Sequence, residues 1–137
     1  MRFINKKVRA VTLQEMLVAL LIIGIIASIA IPMLMPMVTR ARQVEAKTQL
    51  EHLYRLEETY RMEKSKFSSD LTAVGFVHEV LSTDAENGKA NYKIEIVEAS
   101  SNSFTGRATA VVDFDGDGEF NIWEIDEKRN LTEVTAD

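Results

Sequence analysis

Hydrophobic and polar positions divide the chain into zones. Met16–Val38 is a run of 23 residues without a charged side chain. At about 1.5 Å per residue, a helix of that length reaches roughly 34 Å, enough to cross a hydrocarbon core of about 30 Å. From about Val38 to Lys64 the pattern changes. Val44, Leu50, Leu53, Tyr54, Leu56 and Tyr60 recur near helical spacing, while Glu45, Lys47, Glu51, Arg55, Glu58 and Arg61 lie mostly off that stripe. This predicts an amphipathic helix whose apolar face carries a folded domain. Residues 65–91 contain Ser65, Ser68, Ser69, Asp70, Asn87, Gly88 and Asn91 and read as a loop region. Tyr92–Val97 then alternates with period two, and Phe104–Val112 and Phe120–Ile125 are further strand candidates. Their short links predict an antiparallel meander. The expected fold is α+β: a long N-terminal helix, half membrane (11–38) and half amphipathic (39–64), packed on a small antiparallel sheet in a head of residues 65–137.

Pro32 and Pro36 stand four apart near the end of the apolar run. Proline removes a backbone donor and crowds the carbonyl four residues back, so a kink or local melting is expected there. The run is longer than the 7–15 apolar residues typical of a cleaved secretory signal. Ser28-Ile29-Ala30 offers a small-residue cleavage pattern, but Ile31-Pro32-Met33-Leu34 continues the run, which favours an anchor. Upstream, residues 1–10 carry Arg2, Lys6, Lys7 and Arg9 and no acid. Those charges are expected to hold the N-terminus in the cytoplasm and leave the rest of the chain outside.

Between the basic stub and the apolar run stands one acid, Glu15. A charge at a membrane helix centre costs about 2.5–3.5 kcal/mol on insertion scales, and less near the interface. Either Glu15 is a hydrated interfacial acid, or it has a cationic partner. Cutting the chain after Ala10 would give Val11 a free amine four residues from Glu15. In a bundle of such helices the amine of one subunit would meet Glu15 of the next, and breaking a buried pair of that kind is strongly destabilising.

The head holds a second acidic feature. Residues 113–124, from Asp113-Phe114-Asp115-Gly116-Asp117-Gly118 to Glu124, fit a twelve-position calcium loop: carboxylates at positions one, three and five, glycine at six, an apolar residue at eight and glutamate at twelve. Calcium takes six to eight oxygen ligands, and alternate acids around a glycine turn converge on it. Seven acids and no base lie between Asp113 and Glu127, so their repulsion opposes a tight turn unless a cation is present. The flanks alternate as strands, which argues against a helix–loop–helix hand. Asp113, Asp115 and Asp117 are the expected ligands, Glu119 would serve through its carbonyl, and either Glu124 or Asp126 would close the shell. The competing reading is an acidic, solvated hairpin turn.

Composition narrows the function. The net charge is −5, and without the first ten residues 12 basic side chains face 21 acidic ones. Nucleic-acid binding rests on clustered Lys and Arg and is not expected. The absence of cysteine excludes a lipid-anchored N-terminus and a disulfide in the external domain. No H-E-x-x-H, G-x-S-x-G or phosphate-binding glycine loop occurs, and His52 and His78 read as surface or packing residues, so the chain is not expected to be an enzyme.

The segment Ala10-Val11-Thr12-Leu13-Gln14-Glu15-Met16-Leu17-Val18, followed by the apolar run with Gly24 and Pro32, resembles the class III signal of type IV pilins and pseudopilins. The resemblance covers about the first 35 residues. That family usually has glycine where Ala10 stands and phenylalanine where Val11 stands. Tyr60–Phe67 with Leu71 and Val74-Gly75-Phe76 is similar, more loosely, to a stretch that follows the long helix of bacterial pilins. The resemblance implies a prepilin peptidase that removes the leader 1–10 after Ala10 and methylates Val11, and a Glu15 that directs assembly. It also implies partners: other pilin or pseudopilin subunits and an inner-membrane assembly platform. The expected location is the cytoplasmic membrane as a single span, then a periplasmic or cell-surface filament. A calcium loop in the head also resembles the major pseudopilin of type II secretion, although the Asp-Pro-Trp-Gly segment of that subunit is absent. The expected function is therefore a structural subunit of a type IV filament: pilin, minor pilin or pseudopilin. The alternatives are a membrane-anchored calcium-binding domain that does not polymerise and a secreted one released after Ala30.

Overall fold

A computed structural model of the chain describes residues 11–136. One helix, α1 (Leu13–Lys64), is followed by four strands: β1 (Tyr92–Ala99), β2 (Phe104–Ala110), β3 (Ile122–Asp126) and β4 (Leu131–Thr135). The chain divides into two compact units after Pro36.

In the first unit α1 is apolar on all sides, and its large side chains are exposed, from Leu13 (80%) to Ile31 (61%). A helix without a polar face is built for a lipid or protein surround. Pro32 and Pro36 lie inside α1 without ending its helical assignment. Ser28 donates its hydroxyl to the Gly24 carbonyl, so this side chain needs no outside partner.

The second unit packs the rest of α1 on the sheet. Ala46, Leu50, Leu53 and Glu57, spaced four, three and four apart, are completely buried. Tyr54, Leu56 and Tyr60 flank that line and are partly buried against the core. Val44, expected on the stripe, is exposed instead, and Ala46 and Glu57 take the inner face. The helix ends at Ser65, whose φ of 59° is the left-handed conformation that terminates helices, with its N–H on the Arg61 carbonyl. Arg61 and Lys64 in the last turn complement the helix dipole.

The sheet is the expected antiparallel meander, in the order β1-β2-β3-β4. Alternation decides its faces: Tyr92 and Ile94, Phe104, Ala108 and Ala110, and Trp123 and Ile125 point into the core. Gly106 faces the same way where helix and sheet come closest. A Cβ there would stand 2.7 Å from Leu53 Cδ2 and 3.3 Å from Ile125 Cγ2, so the approach depends on a missing side chain. Strand bounds differ from the sequence reading, with β1 running on to Ala99 and β3 to Asp126. β2 stops at Ala110, one residue before Val111, whose N–H still donates to the Asn91 carbonyl opposite it. β3 starts at Ile122, one residue after Asn121, whose carbonyl still accepts the Ala110 N–H opposite it. β4 was not expected; its Val134 is half-exposed, so the strand lacks the buried alternation that betrays the others.

Side chains off the apolar stripe clasp the sheet. Glu45 accepts hydrogen bonds from the Asn91 N–H (2.7 Å) and side-chain amide (2.8 Å). Glu51 pairs with Arg129 at 2.9 Å, and Lys47 lies 4.1 Å above the Trp123 ring. Inside, the Tyr92 hydroxyl donates to Asn121, whose own amide donates to Glu133 and to the Thr135 carbonyl, so buried Asn121 ties β1 to β4.

Residues 65–91 form the loop region expected, docked by Phe67, Val74 and Phe76. Its fastening to α1 is unusual. Glu57 is fully buried, accepts the Ser68 N–H at 3.0 Å with one oxygen, and has no partner for the other. Burial pushes this carboxyl above the usual range, against the opposing pull of the Ser68 N–H. The folded chain therefore holds the Glu57 proton more tightly than the unfolded chain, and stability falls as pH rises from the ordinary carboxylate value through the raised one. Glu57→Gln keeps an acceptor for Ser68 and removes the charge. It is expected to raise the thermal midpoint of the detergent-solubilised chain by a few degrees at neutral pH, with the gain fading below about pH 4, in calorimetry at both pH values.

Candidate assembly helix and acidic loop

Two sets of predicted residues lie in different units. In the first, Thr12 and Glu15 form a reciprocal cap at the start of α1. Glu15 Oε2 accepts the Thr12 N–H and the Thr12 hydroxyl, both at 2.8 Å, and the Glu15 N–H donates to Thr12 Oγ1 at 3.3 Å. This is the T-x-x-E capping box, which satisfies backbone donors that a helix start leaves open. The expectation for Glu15 rested on a partner from another chain; within its own chain Thr12 fills that place. Val11 is 65% exposed, and Ala10 lies outside the described residues. A shallow groove lined by Thr12, Gln14, Glu15, Val18, Ala19 and Ile22 runs beside the cap, polar at one end and apolar at the other.

In the second unit the structure brings together three of the six expected metal ligands. One carboxylate oxygen from each of Asp113, Asp115 and Asp117 lies within 4.8 Å of the others. Gly116 (φ 85°) and Gly118 (φ 92°) make this possible, since their left-handed backbone curls the loop around Asp113. Asp113 accepts the Gly116 N–H at 2.6 Å and the Gly118 N–H at 2.8 Å, and these bonds hold its carboxyl below the usual range. Asp115 and Asp117 accept the N–H groups of Asp117 and Glu119. The loop thus aims its own backbone donors at its acids, which relieves part of their repulsion without a cation.

Of the other three expected ligands, Glu124 and Asp126 are engaged elsewhere, and the Glu119 carboxylate is not part of this cluster. Glu119 is exposed at the loop's end. Glu124 lies opposite Arg107 in the β2–β3 register and pairs with it at 2.6 Å. Asp126 closes the β3–β4 turn, accepting the Lys128 N–H and both the N–H and side-chain amide of Asn130 at 2.8–2.9 Å. Slight desolvation would raise its carboxyl, but the Asn130 and Lys128 hydrogen bonds and the Lys128 charge outweigh it and hold the group low. Strand geometry is the reason: once β3 begins at Ile122, positions ten to twelve of the loop pattern are committed to the sheet. Sequence reasoning missed the two residues that organise the surroundings, Asn121 as a buried hub and Arg107 as the partner of Glu124. Strand alternation puts Asn121 on the face of Trp123 and Ile125 and Arg107 on the opposite one, but their partners follow only from the register.

Comparisons with known proteins find two similarities. Residues 5–31 match the prokaryotic N-terminal methylation motif. A stretch of 75 residues, 55% of this chain, is 39% identical to the type IV major pilin protein PilA of Myxococcus xanthus (strain DK1622). These matches make part of the chain similar to type IV pilins. The chain aligns over 34% of that relative's length. The motif covers the capping box and most of the apolar run, the part of this chain whose large apolar side chains are bare. The acidic loop lies outside the motif.

Asp113 is the residue on which the loop closes. Asp113→Ala leaves the Gly116 and Gly118 N–H groups without their acceptor, and faster amide exchange at both positions and faster protease nicking within 114–119 are expected, with the Ala108 amide in β2 unchanged.

Proposed function

We propose that this chain is a subunit of a type IV filament, anchored in the membrane and polymerised through the N-terminal part of α1. The observation that carries this reading is the bare apolar helix. Leu17, Leu20, Leu21, Ile22, Ile23, Ile25, Ile26 and Ile29 are all at least half exposed, far more apolar surface than a soluble monomer leaves in one patch. The stretch is long and apolar enough to cross a membrane. Lipid covers such a helix before assembly and neighbouring helices cover it afterwards. The N-terminal methylation motif and the similarity to a type IV major pilin support the filament over an isolated anchor.

In this reading a prepilin peptidase cuts after Ala10 and methylates the Val11 amine, with the leader in the cytoplasm and the second unit outside. Glu15 then exchanges its capping-box partner for the amine of a neighbouring subunit, which sets register and polarity. The chain acts by assembly and not by catalysis. Mass analysis of the N-terminus of the native protein is expected to give N-methyl-Val11. An intact Met1 in a chain that stays monomeric in the membrane, or a new terminus at Ile31, would refute the reading. Glu15→Ala is expected to leave membrane insertion intact and to abolish incorporation into sheared filaments.

A second reading concerns the acidic loop. The convergence of Asp113, Asp115 and Asp117 supports calcium binding there, with the Glu119 carbonyl and water completing a hard-oxygen shell. With Glu124 and Asp126 engaged elsewhere, three carboxylates would hold the ion, which suits a weak extracellular-type site. A cation that binds only the folded loop raises the melting temperature by mass action. A higher thermal midpoint in millimolar calcium than in chelator is expected, and the shift is expected to vanish in Asp115→Asn/Asp117→Asn.

A further inference from the structure

The free edge of β1 carries an arrangement that neither reading uses. The Ile94 N–H, on the side of β1 away from β2, donates to His78 Nε2 at 2.9 Å. The other ring nitrogen, Nδ1, stands 2.6 Å from the Glu79 carbonyl oxygen. Both partners are backbone groups with fixed roles: an N–H can only donate and a carbonyl can only accept. His78 Nε2 must therefore be the bare acceptor and Nδ1 must carry the proton. In this tautomer the ring stands in for the carbonyl of an absent neighbouring strand. An uncovered strand edge is a template for pairing with other chains, so closing it matters.

We propose that His78 is an acid-sensitive fastener of this edge: its neutral ring holds residues 77–79 against β1, and protonation at Nε2 releases them. A doubly protonated imidazole offers no lone pair to the Ile94 N–H, and two donors then face each other. The surroundings offer little to offset this. Around the ring lie Gln49 of α1, Phe76, Glu79, Ala90, Tyr92 and Ile94. Of these only Glu79 and Tyr92 titrate, and the Tyr92 hydroxyl is committed to Asn121. His52 reaches the same cluster only through the Phe76 ring, at 5.7 Å between centroids. Lys93 and Glu95, which flank Ile94, alternate to the other sheet face and pair with each other. The release is local. Phe76 remains tied by its N–H to the Leu71 carbonyl, and the Val80 carbonyl still accepts from Lys89 and Ala90. What opens is the span between these ties, with Val77 already 83% exposed.

The test uses the full chain in detergent micelles. Nitrogen NMR at neutral pH is expected to show the proton of His78 on Nδ1, and a proton on Nε2 would overturn the proposal. Amide-exchange protection at Ile94, corrected for intrinsic rates, is expected to fall by about tenfold or more between about pH 7.5 and pH 5. The fall should spare Ala108 on the central strand. His78→Gln supplies an acceptor that does not titrate and is expected to keep Ile94 protected at both pH values. An equal fall in that variant, a fall shared by Ala108, or no fall in the unsubstituted chain would each overturn it. Should His78→Gln fail to fold, the tautomer and the Ile94–Ala108 contrast in the unsubstituted chain still decide.

Discussion

An apolar helix with no polar face cannot rest in water, and this constraint orders the rest of the structure. Among the described residues of the first unit no other element lies against its Leu and Ile side chains. In the proposed function lipid or neighbouring helices supply that cover. Its few polar groups are then significant. Ser28 bonds back to its own helix, and Glu15 is folded into a cap with Thr12. In low dielectric an unpartnered polar group costs far more than a partnered one contributes. A carboxylate that is satisfied locally can wait in a bilayer, and it can trade that partner only for a better one.

The second unit answers the opposite problem. It must fold as a small domain with one helix face and four short strands, without disulfides. Two devices compensate for its limited core. Gly106 lets Leu53 seat directly on the sheet, which tightens the dry interface. Around that interface Glu45, Lys47 and Glu51 reach from α1 to Asn91, Trp123 and Arg129. Exposed ion pairs contribute only about 0–1 kcal/mol each. The Glu45 contact is stronger in kind, since one carboxylate takes a backbone N–H and a side-chain amide together. These clasps fix where the sheet sits along the helix more than they add to the total.

Much of this was legible in the sequence, and the exceptions share a cause. The apolar run, the long helix, the first three strands and their meander all follow from periodicity. So does the division of β3 into buried Trp123 and Ile125 and outward Glu124. The helix stripe held at Leu50, Leu53, Tyr54, Leu56 and Tyr60 and failed at Val44, because it was traced through apolar residues alone. The true inner face substitutes Ala46 for Val44 and includes Glu57, and a buried acid is invisible to a hydrophobic pattern. β4 escaped notice because a weakly buried edge strand keeps no alternation. The clasps were hidden because local sequence marks Glu45 and Glu51 only as polar, while their partners lie 46 and 78 residues away.

The acidic loop shows how two patterns compete for the same residues. The spacing of its acids fits a twelve-position cation loop, and the alternation of its second half fits a strand. Position nine is Asn121 and position twelve is Glu124, and both would have to leave the sheet to serve a metal. Asn121 would give up bonds to Tyr92, Glu133 and Thr135, and Glu124 would abandon Arg107 as an uncompensated partner. Buried networks resist such loss because every member left unpaired carries its own desolvation penalty. The strand therefore wins beyond residue 121, and the turn keeps only its first half. That half remains coherent by itself, because Gly116 and Gly118 turn backbone N–H groups onto Asp113 and leave the rim of the loop to Asp115 and Asp117.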